Sequence, residues 1–128
     1  VRVLLDTHAL LWAAAYDELL SSRAHHLIQP KRNEVFVSAA SAWEIATKYR
    51  LGKLPLAQAL VDDFVPVIRS AGYLLLPISL EHALRAGRLT PEHKDPFDRM
   101  IAAQSIHEDL ALISNDEQLD AFGVRREW

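Results

Sequence analysis

The chain has 128 residues, half of them hydrophobic and 24% charged, with a formal net charge of -3 and no cysteine. That is the make-up of a soluble globular protein forming one domain over residues 1–128, and a chain of this length buries roughly two thirds of its unfolded surface without staples. The absence of cysteine excludes thiolate metal sites, disulfides and thiol catalysis, and the acidic balance excludes nucleic-acid binding through bulk charge alone.

Residues 1–5 form a nearly continuous apolar run, the pattern of a strand buried on both faces. Asp6 follows at once and can cap the helix-like stretch Thr7-His8-Ala9-Leu10-Leu11-Trp12. The apolar run at 9–15 is far short of the roughly 20 residues that span a bilayer, and Asp6 comes too early for a signal peptide. A cytoplasmic protein without membrane contact is expected. The adjacent His25 and His26 sit on a further helix, on different faces. A second strand covers 35–37, after which Ser38-Ala39-Ala40-Ser41 leads into a helix over 42–51 with Gly52 as its stop. Residues 58–70 predict another helix, bent or broken at Pro66 and ending before Gly72. A third strand lies at 73–76, and Ser79 caps a helix running to Gly87. Asp95-Pro96-Phe97-Asp98 combines a capping acid, a first-turn proline and a second acid, so a helix starts there and runs to about residue 109. A fourth strand at 110–113 precedes Ser114-Asn115-Asp116 and a short helix over 117–122, and a fainter fifth strand centres on Val124. Strands alternating with helices, without repeat or linker, predict the α/β class with a parallel sheet covered on both faces.

Four acids, Asp6, Glu44, Asp98 and Asp116, stand at or just after points where an apolar run gives way to a helix. Each has an ordinary explanation alone: Asp6 and Asp116 as helix caps, Asp98 as a first-turn acid favoured by the helix dipole, Glu44 as an exposed partner of Lys48 four residues on. A cap does not explain why acids recur at one edge of a parallel sheet, and side chains leaving the carboxyl ends of parallel strands converge on the crevice where such sheets bind ligands. Packed carboxylates repel, so one of them should hold its proton more tightly unless a cation is bound. Mg²⁺ or Mn²⁺ fits oxygen ligands, and one or two such ions can drive hydrolysis of a phosphodiester. The six histidines show no H-E-x-x-H spacing, and no G-x-S-x-G elbow, P-loop or G-x-G-x-x-G fingerprint occurs. His8 and His93 are candidates for supporting roles beside Asp6 and Asp98. The basic residues Lys48, Arg50 and Lys53 cluster after Glu44.

The stretches Leu4-Leu5-Asp6-Thr7-His8-Ala9-Leu10-Leu11-Trp12, Ser38-Ala39-Ala40-Ser41-Ala42-Trp43-Glu44-Ile45-Ala46, Asp95-Pro96-Phe97-Asp98-Arg99-Met100-Ile101-Ala102-Ala103-Gln104 and Ile113-Ser114-Asn115-Asp116 together resemble the PIN-domain ribonuclease toxins of the VapC type. The resemblance implies a three-layer α/β/α sandwich with a parallel, mostly five-stranded sheet. It also implies Mg²⁺- or Mn²⁺-dependent endoribonuclease activity, a homodimer and a cognate antitoxin. The family's four acidic positions match Asp6, Glu44, Asp98 and Asp116. Asp98 is preferred to Asp95 because the family's acid stands three residues before the Ile-Ala-Ala stretch. On this reading Asp6, Asp98 and Asp116 hold the metal, and Glu44 completes the site or orients the attacking water. Thr7, Ser114 and Asp95 support the ligands, Ser114 standing where the family often has Thr. Lys48, Arg50 or Arg99 steer the RNA backbone, and a basic segment of the antitoxin plugs the acidic pocket. Two other readings remain open. A receiver-type Mg²⁺-binding signalling domain wants an acidic pair after the first strand, where this chain has Asp6-Thr7. A non-catalytic PIN-like binding module would use the acidic pocket only to receive a basic partner.

Overall fold

The computed structural model describes residues 1–128 apart from Pro91, His93 and Lys94 and the side chain of Leu56. The five strands are β1 (Arg2–Leu5), β2 (Glu34–Ser38), β3 (Leu74–Leu76), β4 (Ala111–Ile113) and β5 (Arg126–Glu127). They form one sheet in the order β3-β2-β1-β4-β5, with every neighbouring pair parallel. The helices are α1 (Thr7–Ala15), α2 (Ser22–Leu27), α3 (Ala39–Arg50), α4 (Gln58–Asp62), α5 (Phe64–Ser70), α6 (Leu80–Arg88) and α7 (Pro96–His107), with 3₁₀ turns at Asp17–Leu19, Pro55–Ala57 and Glu117–Phe122.

Side chains on a strand alternate between faces, and here both faces are buried. Val3 and Leu5 of β1, with Val35, Val37, Ala111 and Ile113, pack into one core with Leu10, Ala24, Ile45 and Ile68 from the helices. Leu4 and Leu112 point the other way, into a second core with Ile101, Ala102, Leu119 and Phe122. Two helical layers therefore enclose the sheet, as the apolar runs predict.

The boundaries differ from expectation at four places, each for a local reason. α3 begins three residues early, because the Ser38 hydroxyl already accepts the Ala40 N–H and caps the helix there. The helix expected over 58–70 breaks at Asp63 rather than at Pro66. Proline tolerates a first helical turn but clashes with the carbonyl four residues back, so the break falls before it and leaves Pro66 in the first turn of α5. α7 ends at His107, since Asp109 takes a left-handed conformation (φ 55°) that stops the helix. β5 lies at Arg126–Glu127 rather than around Val124, because Gly123 (φ 82°) ends the preceding turn and the chain re-enters the sheet only afterwards.

β1 is central, with β2 on one side and β4 on the other, so the crossover direction reverses between β1 and β4. This is the topological switch point at which open α/β sheets take ligands. Leu5 pairs with Ile113, and the Asp6 N–H donates to the Ile113 carbonyl at 3.1 Å, so Asp6 and Ser114 emerge side by side at that point.

Candidate metal centre

Asp6 is built into the start of α1. Its Oδ1 accepts the Ala9 N–H at 2.7 Å, so the capping role read from the sequence is real. The residue is nevertheless only 6% exposed, and burial pushes its carboxyl above the usual 3.8. The Ser114 hydroxyl, the Ala9 N–H and the nearby His8 pull it back, and Asp98 adds a like charge that pushes it up again. Burial is thus the main cause of the raised pKa, and the like charge of Asp98 is the smallest of the contributions.

Ser114 bears on two of the acids. Its Oγ accepts the Asp116 N–H at 3.0 Å, and its hydroxyl is close enough to Asp6 to draw that carboxyl's pKa down. A hydroxyl has one proton to give and lone pairs to receive with, so Ser114 can donate to Asp6 while accepting from Asp116. Asp116 itself caps the turn after β4, its Oδ1 accepting the Gln118 N–H at 3.0 Å. The capping and clustering explanations are therefore compatible: a carboxylate has two oxygens and about four lone-pair sites, and a cap uses one.

Glu44 departs from the surface role open to it in the sequence. It is paired with Lys48 as the four-residue spacing suggests, yet it is 3% exposed. Among the described residues, its Oε1 is the buried side-chain polar atom left without a hydrogen-bond partner. One turn earlier on α3, Ser41 Oγ and Thr7 Oγ1 share a hydrogen bond at 3.0 Å, which ties the first turn of α3 to the residue after Asp6. Residues three apart on a helix share a face, so Glu44 lies on the side of α3 turned towards α1. Ser41 went unremarked in the sequence because a small hydroxyl between alanines carries no signal until its partner is known.

The remaining candidates divide. Asp98 lies in the first turn of α7, within electrostatic reach of Asp6, while Asp95 caps that helix by accepting the Phe97 and Asp98 N–H groups at 2.8 and 3.3 Å. Trp43 meets the Phe97 ring edge-on at 4.7 Å, holding the start of α7 against α3. Arg99 turns away from a phosphate-steering role. Its guanidinium donates to the Ala86 carbonyl at 3.0 and 2.7 Å and to the Leu89 carbonyl at 2.6 Å, closing the end of α6. Arg50 is exposed in the last turn of α3. His8 is exposed and tilts against Trp12 at 5.8 Å, and His93 lies outside the described residues.

A second cluster was not anticipated. Ligand atoms of His82, His107 and Glu108 lie within 4.8 Å of one another. Its hydrogen bonds argue for a lock between α6 and α7 rather than an ion site. His82 Nδ1 accepts the Ser79 N–H at 3.0 Å as half of a capping box, which leaves the ring proton on Nε2, where it is donated to Glu108 Oε2 at 2.7 Å. Metal-binding histidines show the reverse arrangement, with the far nitrogen donating.

The PIN domain family model matches residues 3–124. The chain belongs to the PIN domain family. Its fold matches a chain of the Rickettsia felis VapBC2 complex bound to a promoter DNA fragment, with a TM-score of 0.71 at 14% identity over 99% of this chain and 98% of that one. A chain of a toxin-antitoxin complex from Klebsiella pneumoniae gives 0.66 at 17% identity, over 98% and 96%. Both likenesses concern the fold. In sequence, this PIN domain is 42% identical over 74 residues to Ribonuclease VapC16 of Mycobacterium tuberculosis (strain ATCC 25618 / H37Rv), a stretch covering 58% of this chain and 50% of that relative. The match thus spans half the length of the curated relative. Among the described residues no helix is long and apolar enough to cross a membrane.

Among the described residues no three of Asp6, Glu44, Asp98 and Asp116 bring ligand oxygens within 4.8 Å of one another, as His82, His107 and Glu108 do, so the fit of a hard divalent cation rests on carboxylate chemistry and on the unsatisfied Glu44 Oε1. A buried carboxylate oxygen without a partner is costly, and a cation resolves the cost.

Proposed function

We propose that the protein is a Mg²⁺- or Mn²⁺-dependent endoribonuclease toxin of the VapC type, residues 1–128 forming its PIN unit. The observation that carries the reading is the burial of two carboxylates, Asp6 and Glu44, at the carboxyl edge of a parallel sheet, with one Glu44 oxygen unbonded. The 42% identity to a protein named as a ribonuclease supports the choice of RNA as substrate.

In this mechanism Asp6, Asp98 and Asp116 would hold the ion, and Glu44 would complete the site or orient a water and take its proton. The ion, when bound, supplies Lewis-acid polarisation of the phosphodiester and acidifies water. Ser114 fixes the turn that carries Asp116, and the Thr7–Ser41 bond holds α1 and α3 at the spacing the site needs. Arg50 adds positive charge beyond the acids to attract the RNA backbone, an attraction that weakens with salt.

The proposal includes a cognate antitoxin. A cavity of about 530 Å³ runs beside the acidic edge, walled by Leu11, Trp12, Leu54 and Leu60 and bordered by Thr7 and Lys48. An apolar partner segment fits such a wall, and an arginine or lysine on it would pair with the acids. It also includes a homodimer, for which the exposed Leu80 (81%) and Leu84 (62%), one turn apart on α6, offer an apolar face. Sedimentation of the isolated chain tests that part.

The direct test is sequencing of RNA ends after incubation with Mn²⁺, comparing wild type with Asp6→Asn and Asp116→Asn. Discrete new ends that vanish in both variants are expected. Identical ends from all three proteins, or none from wild type, would overturn the proposal.

A further inference from the structure

Glu44 treats its two oxygens differently. Oε2 is held by Lys48 Nζ, four residues further along α3, while Oε1 is buried and, among the described residues, without a partner. The Lys48 side chain is 32% exposed against 4% for Glu44, and Lys48 borders the cavity together with Thr7 and His8. Lys48 therefore borders the groove while its ammonium holds Glu44.

Two roles for such a lysine predict opposite signs. As a charge alone, Lys48 repels a divalent ion, and its removal makes the acidic edge more negative and ion binding tighter. As a hydrogen-bond partner, it fixes the plane of the Glu44 carboxylate, occupies one oxygen and presents the other. Exposure decides between them. A partly exposed ammonium is screened by solvent, so its repulsion of the ion is weak, whereas a buried carboxylate that loses its partner has nothing else to orient or compensate it.

We propose that Lys48 is a positioning residue for the ion site, holding Glu44 by Oε2 so that Oε1 faces the divalent cation. This rests on the four-carboxylate reading and adds to it a partner that orients one ligand. Partners of this kind are worth about 10–100-fold in metal affinity elsewhere.

The experiment is calorimetric titration of Mn²⁺ into RNA-free wild type, Lys48→Met, Lys48→Gln, Lys48→Arg and Glu44→Gln, with the metal-free melting temperature of each recorded. Lys48→Met and Lys48→Gln should bind Mn²⁺ about 10–100-fold more weakly, although each removes a positive charge, and Lys48→Arg should restore most of the affinity. Two uncharged variants keep the test open if one of them folds poorly. Unchanged or tighter binding by the uncharged variants overturns the inference, including the case in which only the metal-free melting temperature falls. Wild type that binds Mn²⁺ as Glu44→Gln does removes Glu44 from the site and sinks this inference alone. Wild type that binds no Mn²⁺ sinks the four-carboxylate reading with it.

Discussion

At Asp6 two demands meet in one side chain. Asparagine caps a helix about as well as aspartate, so Asp6→Asn keeps the bond to Ala9 and discards only the charge. Because burial holds the native carboxyl above its unfolded value, the native state binds its proton more tightly than the unfolded chain does, and ionised Asp6 costs stability. Below the usual 3.8 both states are protonated and the cost is absent; it grows as the pH rises from there and is complete above the native value. Asp6→Asn should therefore melt no lower than wild type at pH 7, lose its advantage in acid, and cut RNA at least about 100-fold more slowly. Melting curves at both pH values with a cleavage assay check this, and destabilisation with activity retained would leave Asp6 as a cap only. The residue itself was legible, because an acid immediately after an apolar run is rare enough to notice. Its surroundings were not, since the bond of its N–H to the Ile113 carbonyl and the bond between Thr7 and Ser41 join positions far apart in sequence whose proximity depends on strand order. For the same reason Arg99 could be assigned to the RNA from sequence: nothing local says that the end of α6 passes its guanidinium.

The elements that frame the site are placed by short-range chemistry, and their failures are short-range too. Four strands and the major helices were readable from apolar runs, caps and glycines, whereas the place of β5, the break at Asp63 and the end of α7 needed backbone detail that composition does not hold. Gly52 and Gly72 both stop a helix with positive φ, 77° and 83°. A Cβ at Gly72 would also lie 3.0 Å from Pro30 Cβ, while at Gly52 nothing lies within 4 Å. Gly52→Ala should cost about 1–2 kcal/mol for the left-handed backbone, and Gly72→Ala measurably more. Equal midpoint shifts in urea would show that Pro30 yields. The α6–α7 lock makes a separate demand. His82→Ala removes a capping-box partner and the bond to Glu108 and should destabilise by about 1–3 kcal/mol while leaving Mn²⁺ affinity unchanged.

For the molecule as a whole, the sheet order sets the end of β1 beside the end of β4, and the proposal of RNA as substrate came from resemblance, not from folding physics. If Asp6, Glu44, Asp98 and Asp116 share an ion, metal should stabilise the whole fold by mass action, so saturating Mn²⁺ should raise the melting temperature of wild type more than that of Asp6→Asn. The measurement closest to the central claim is a calorimetric Mn²⁺ titration of wild type, Asp6→Asn, Asp98→Asn, Asp116→Asn and His82→Ala. The account predicts Mn²⁺ binding to wild type that each aspartate variant weakens and His82→Ala leaves intact. Binding that survives all three aspartate changes, or disappears with His82, would contradict it.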